Sequence, residues 1–202
     1  MTAPADDRYA EIWARAEPYW QTRSNQVHVP TSYRLARELL AAHPEVDADI
    51  VLPAILLHDI GYMAVPHEDH LKGLAGAVTG WDSDITRRHE VAGAELAGEI
   101  LREVDWDPDR IPAIQAIVDG HDSRTEAISG EDELVKDADK LWRFTDEAVQ
   151  ICHVWMKRSE SEFLDWLSVE IDRWFFTQAA REIAGRELGR SRAALAARTA
   201  AV

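Results

Sequence analysis

The stretch VLPAILLHDIGYM carries a histidine and a carboxylate, His58 and Asp59, to the end of an apolar run. Burying such groups is costly unless a partner meets them. Three other histidines have apolar company at helical spacing. His28 lines up with Ser32, Leu35 and Leu39, His89 with Ile85, Ala92, Leu96 and Ile100, and His121 with Ile111, Ile114 and Val118. Taken singly, a histidine on an apolar face is more often a hydrogen-bonded core residue than a ligand. Four facing inward together, one beside an aspartate, would repel one another once protonated. A divalent cation removes that conflict, because neutral imidazole and carboxylate are its natural ligands. Such a donor set, lacking cysteine, suits Mn, Fe, Co, Ni or Zn better than Ca. A further carboxylate is expected from ELVKDADKLWRF, where Asp139 aligns with Val135 and Trp142, and Asp137 with Leu134 and Leu141. Periodicity does not choose between the two.

The elements that must position these residues are helical nearly everywhere, and no segment alternates with period two. The spacing predicts helices over about Asp6 to Trp20, His28 to Ala42, and Ala48 to Asp59, the last closed by Gly61 as a C′ residue. Pro18 is a candidate early stop for the first helix, and Pro30 is tolerable in the first turn of the second. A long connection runs from Gly61 to Trp81. Asp82 or Ser83 then caps a helix reaching Val104, and Asp107 with Pro108 opens another that runs to Gly120. Two more are expected over Glu133 to Met156 and Glu162 to Leu188, ahead of an Ala/Arg-rich tail that reads as a frayed helix or disordered. The fold class is all-α: residues 1–24 form a helix packed on the core, 25–150 form the metal-binding core, and 151–202 complete the same domain.

Composition narrows the partners. The chain has 202 residues and a formal charge of -15, which argues against nucleic acid or an anionic membrane as a partner. One cysteine, Cys152, excludes an internal disulfide framework and a thiolate cluster, and fits a reducing cytoplasm. Neither a signal peptide nor a membrane span is expected. The eight tryptophans read as packing anchors rather than a base-stacking platform. The wide apolar stripe of FLDWLSVEIDRWFF could line the site or form a homodimer seam, with core packing the plainer expectation.

The order His28 … His58-Asp59 … Asp139 resembles the H…HD…D signature of the HD-domain metal-dependent phosphohydrolases, supported by Ile60-Gly61 after the pair and by DADKL. The resemblance covers about residues 25 to 150 and implies a compact single-domain bundle of five or more helices around a metal. It implies that His28, His58, Asp59 and Asp139 are ligands, choosing Asp139 over Asp137. His89 and His121 match positions that hold a second metal in part of the superfamily, with Asp59 as bridge. HDIGYM continues with Met63 where the cyclic-dinucleotide phosphodiesterases have proline, so that activity is not favoured.

The resemblance implies a phosphohydrolase that opens a small phosphate ester, such as a nucleotide or metabolite phosphate, with a metal-activated water. One or two ions would serve. Asp59 would orient the water or take its proton, and Glu68 in HEDH is a second candidate base, with His67 or His70 as proton shuttle or substrate contact. A solvated polar loop is the plainer reading of HEDH. Lys72, Arg88 and Lys140 are candidate phosphate contacts, each more often a surface charge. His43 reads as a helix terminator and His153 as a hydrogen-bonded core residue. Two alternatives stand beside the hydrolase: a di-iron oxygenase cleaving a C–C or C–P bond, and a non-catalytic metal-binding signalling module.

Overall fold

Apolar stripes at helical spacing become helices throughout the described residues, 8–73 and 82–201 of this computed structural model. They are α1 (Ala10–Ala16), α2 (Asn25–Ala42), α3 (Ala48–Leu57), α4 (Ser83–Glu103), α5 (Ile111–Val118), α6 (Gly130–Leu141), α7 (Asp146–Trp155), α8 (Glu160–Trp174) and α9 (Gln178–Ala200). Tight 3-10 segments occupy Glu17–Trp20, Ile60–Ala64, His67–Gly73 and Trp142–Phe144. The described residues contain no strand, and the fold is all-α. No described helix is long and apolar enough to cross a membrane.

Helix α3 is the axis. Every residue from Val51 to Leu57 is buried, so this helix has no polar face and must be wrapped on all sides. α2, α5 and α6 pack directly against it, and α4 reaches the cluster through α5 and the Ile60–Ala64 segment. Asp47 caps α3 by accepting from the Asp49 amide at 2.9 Å. Pro53 cannot donate to the carbonyl of Asp49 one turn back. Trp106 Nε1 donates to that carbonyl instead, at 3.2 Å. At the other end, Trp20 Nε1 donates to Leu56 O at 3.3 Å, satisfying a carbonyl that the helix terminus leaves unpaired. These two tryptophans therefore serve α3 as donors as well as packing groups. Trp81 lies outside the described residues.

Several boundaries differ from the sequence expectation. α1 stops at Ala16, and Pro18 falls in the 3-10 turn behind it. α2 starts at Asn25 rather than His28, so Pro30 lies inside the helix. Gly61 does not terminate α3, which ends at Leu57. Its role is close packing: a Cβ there would lie 1.9 Å from His89 O and 2.5 Å from Gly93 N, both backbone atoms of α4. Asp107 caps only a local turn, accepting from Asp109 N at 3.0 Å and pairing with Arg110, and α5 opens later at Ile111. The two long downstream helices are each broken by a threonine cap, Thr145 before α7 and Thr177 before α9. The tail is ordered helix to Ala200, because Ser191 Oγ donates to Phe144 O at 2.7 Å and Arg198 pairs with Asp146 and Glu160.

One hydrophobic cluster extends from Tyr9 to Leu188, so the first and last helices feed the same core. Phe163, Leu164 and Leu167 of the FLDWLSVEIDRWFF stripe are buried in it. Cys152 is buried too, and burial pushes its thiol up to about 12. It should not react with a thiol reagent at mildly alkaline pH in the folded protein and should react fully on denaturation; a stoichiometric reaction in the native state contradicts this burial. Gly61→Ala should lower unfolding free energy by about 1–3 kcal/mol in a urea titration, because its Cβ meets backbone that must move.

Candidate metal centre

The histidines and aspartates that the sequence scattered over more than a hundred residues meet where the ends of α3, α5 and α6 face the first turn of α2 and the second turn of α4. His28, His58, Asp59, His89, His121 and Asp139 are all buried. Two groups of three offer donor atoms within 4.8 Å of one another: His28, His58 and Asp59, and Asp59, His89 and His121.

Local backbone geometry aims the rings. His58 Nδ1 donates to Ile55 O at 2.8 Å, His121 Nδ1 to Val118 O at 2.9 Å, and His89 Nδ1 to Ile85 O at 3.4 Å. Each acceptor is a carbonyl one turn back, and a carbonyl can only accept, so Nδ1 holds the hydrogen. In the neutral ring, Nε2 is then left with its lone pair turned into the cluster. Flat stacks fix the planes of two rings: Tyr62 on His89 at 4.0 Å between centroids and Trp142 on His28 at 4.5 Å, both inclined by 17°.

The two oxygens of Asp59 face different pairs of imidazoles. Oδ2 lies 3.4 Å from His28 Nδ1 and 3.7 Å from His58 Nε2, while Oδ1 lies 3.5 Å from His121 Nε2 and 4.0 Å from His89 Nε2. Asp139 Oδ1 is 2.9 Å from His28 Nε2 and 3.6 Å from His58 Nε2. Despite the 2.9 Å approach, His28 Nε2 makes no hydrogen bond there, because the oxygen lies off the donor direction; His58 Nε2 is likewise unpartnered. The Nε2 atoms of His89 and His121 face each other at 3.4 Å. Nitrogens and oxygens converging on shared points rather than on one another form a donor set that fits divalent cations.

The electrostatics show the same tension. Burial opposes ionisation of Asp59, yet His58, His121, His28 and Arg23 outweigh it and hold the carboxyl well below its ordinary range. Asp139 is also buried and is held down by Arg143, His28 and His58. Burial and the neighbouring His121 lower His89 to about 4. In His121 burial again disfavours charge, but Asp122 and Asp59 prevail and raise it to about 10.

Asp137 and Asp139, which periodicity left equivalent, have separate work. Asp137 accepts from Phe176 N at 2.9 Å, Thr177 N at 3.0 Å and Thr177 Oγ1 at 2.7 Å, fastening the α8–α9 junction to α6. Four other candidates are not brought to the cluster. Glu68 and Arg88 are exposed, Lys72 pairs with Asp69 at 2.5 Å, and Lys140 reaches Trp174 O at 3.5 Å and the Phe176 ring. In HEDH, His70 is a buried structural residue bonded to Val65 O at 2.9 Å, and His67 is exposed. His43 ends α2 and meets Glu45 at 3.1 Å, and His153 bonds Arg158 O at 2.9 Å.

Sequence reasoning missed three supports. Asp122 Oδ2 lies 3.6 Å from His89 Nε2 and 3.8 Å from His121 Nε2, and its signal was a second His-Asp pair in GHDSR. Buried Glu90 accepts from Asp122 N at 3.0 Å, Ser123 N at 2.7 Å and Arg87, clamping the His121 turn to α4. Lys136 Nζ donates to Gly120 O at 2.7 Å and His121 O at 2.8 Å from the other side.

Residues 27–143, more than half of the chain, match the family model described as HD domain. The chain belongs to the HD domain family. The six converging residues all lie within the matched span. A crystal structure described as a "predicted HD superfamily hydrolase" from an uncultured Thermotogales bacterium has the same fold, with a TM-score of 0.58 at 18% identity over 94% of this chain and 90% of that one. No curated protein matches. Family membership and the converging donors together fit a site that could hold a divalent metal.

Glu90→Ala should cost about 1–3 kcal/mol of stability, since it removes the acceptor shared by the Asp122 and Ser123 amides and one of the two carboxylates that hold Arg87. Urea unfolding measures the loss, and faster amide exchange at Asp122 and Ser123 should accompany it.

Proposed function

We propose that this chain is a phosphohydrolase for a small phosphate ester, such as a nucleotide or metabolite phosphate, with a binuclear centre. In this reading His28, His58, Asp59 and Asp139 hold one cation, His89, His121 and Asp59 hold the other, and the metal is Mn, Fe, Co, Ni or Zn. The observation that carries it is the division of Asp59, with Oδ2 toward His28 and His58 and Oδ1 toward His89 and His121. Paired divalent ions at such a centre supply a Lewis acid for a phosphoryl oxygen and a water acidified toward neutrality.

The chain's own residues do the rest. His58, His89 and His121 donate Nδ1 to the backbone, so Nε2 is the nitrogen each neutral ring offers, already aimed into the cluster. Arg143 donates to Asp139 O at 3.2 Å and lies 3.7 Å from Asp139 Oδ2, steadying that carboxylate. Asp122 is part-exposed beside the second triad, and is the carboxylate best placed to accept a proton from an entering nucleophile without giving up a ligand role. Glu68 has no role in this reading.

The same six donors with a bridging carboxylate also suit two irons, which keeps the oxygenase reading alive beside the hydrolase. Elemental analysis of purified protein separates them: two Mn, Co, Ni or Zn per chain with ester turnover supports hydrolysis, and two Fe with substrate-dependent oxygen consumption supports oxygenation. His58→Ala and Asp59→Ala should each remove both metal and turnover, whereas His121→Ala should leave about one ion per chain. Full activity in either of the first two overturns this centre.

A further inference from the structure

Polar groups without partners gather at one place beside the cluster. Thr22 Oγ1, Arg23 Nε, Asn25 Nδ2 and Tyr62 Oη are all sealed from solvent and make no hydrogen bond among the described residues. Arg23 is the unusual member. Its backbone and that of Ser24 are both left-handed, with φ of 49° and 59°, a conformation that L residues avoid. Ser24 stands at the N-cap of α2 and does not use its hydroxyl to cap it. The turn serves instead to fold Arg23 inward, its guanidinium carbon 4.0 Å from the centre of the Tyr62 ring. Tyr62 in turn stacks on His89, so the cation is tied mechanically to the second triad.

The other basic groups near the cluster already have partners. Arg87 is held by Glu90 and Asp119, Lys136 by two carbonyls and Arg143 by Asp139. Arg23 feels the charges of Asp59, Asp122 and Asp139, yet no carboxylate among the described residues comes within ion-pair distance of it. Burying the Arg23 Nε without a partner is unfavourable unless an anion completes it. Stacking on a phenol holds the plane and leaves the edge donors free, which suits bidentate binding of tetrahedral oxyanions.

We infer that Arg23, backed by Tyr62, is the substrate's anion clamp, taking non-bridging oxygens of a phosphate group that lies between the guanidinium and the Asp59 cluster. The inference rests on the phosphohydrolase reading for the identity of the anion. In a chain of net charge -15, whose cluster adds three nearby carboxylates, a cation committed to nothing else is what lets a phosphate approach.

The test is calorimetric titration of inorganic phosphate into the metal-loaded full chain, with metal content and melting temperature measured on the same samples. Arg23→Gln should weaken phosphate binding by about tenfold or more while metal content stays at the wild-type level. Wild-type affinity in this variant at equal metal content overturns the clamp, and so does a wild-type protein that binds no phosphate. Should Arg23→Gln fail to fold, Arg23→Lys is read instead: weaker binding supports the fork, and unchanged binding overturns it. The two proposals fail separately. Phosphate binding that depends on Arg23 without turnover of any ester removes the hydrolase and keeps the clamp. Ester turnover with unchanged KM in Arg23→Gln does the reverse.

Discussion

An imidazole whose Nδ1 is spent on a backbone carbonyl has only one place left for its lone pair. In this protein that constraint acts at His58, His89 and His121 together, and the rest of the structure is arranged so that the three Nε2 atoms meet around Asp59. The convergence requires helix ends, not helix middles, to face the cluster. It requires α4 to come close enough that only a glycine fits at position 61. It also requires α3 to be apolar on every side, because the helix that presents His58 and Asp59 runs through the centre of the core.

Charge in this acidic chain is sorted by what each carboxylate can reach. Asp59 and Asp139 are buried among imidazoles and stay ionised against the cost of desolvation. Asp137, two positions from Asp139, turns to the opposite side and fastens a helix junction through three donors. Glu90, next to His89, ties the His121 turn to α4, with Lys136 holding the same turn from α6. The centre is thus supported by hydrogen bonds from two directions, α4 and α6.

Stability and chemistry pull against each other here. Unpartnered His28 and His58 nitrogens, the facing His89 and His121 nitrogens, and the left-handed turn at Arg23 and Ser24 all cost free energy in the bare protein. The large shared core and the well-capped helices α3, α4 and α6 to α9 offset that cost. Buried polar groups left without partners concentrate at the cluster and beside it, which is where a bound cation or anion would complete them.

Sequence alone determined the all-α class, the inward faces of the four histidines and the central place of the HD pair, because helical periodicity is a local property that apolar spacing reports directly. The caps at Asp47 and Asp82 are similarly local, although only the second stands out from the sequence pattern. Tertiary structure decided what depends on contacts between distant segments. Asp137 and Asp139 could not be told apart by spacing, since each lines up with apolar residues of α6, and only the packing of residues 176–177 against one and His28 against the other separates them. Gly61 looked like a helix terminator because local sequence does not show the backbone of α4 lying against it. Arg23 gave no signal at all, for a half-buried cation is recognised by the partners it lacks, and those are defined only once the chain has folded around it.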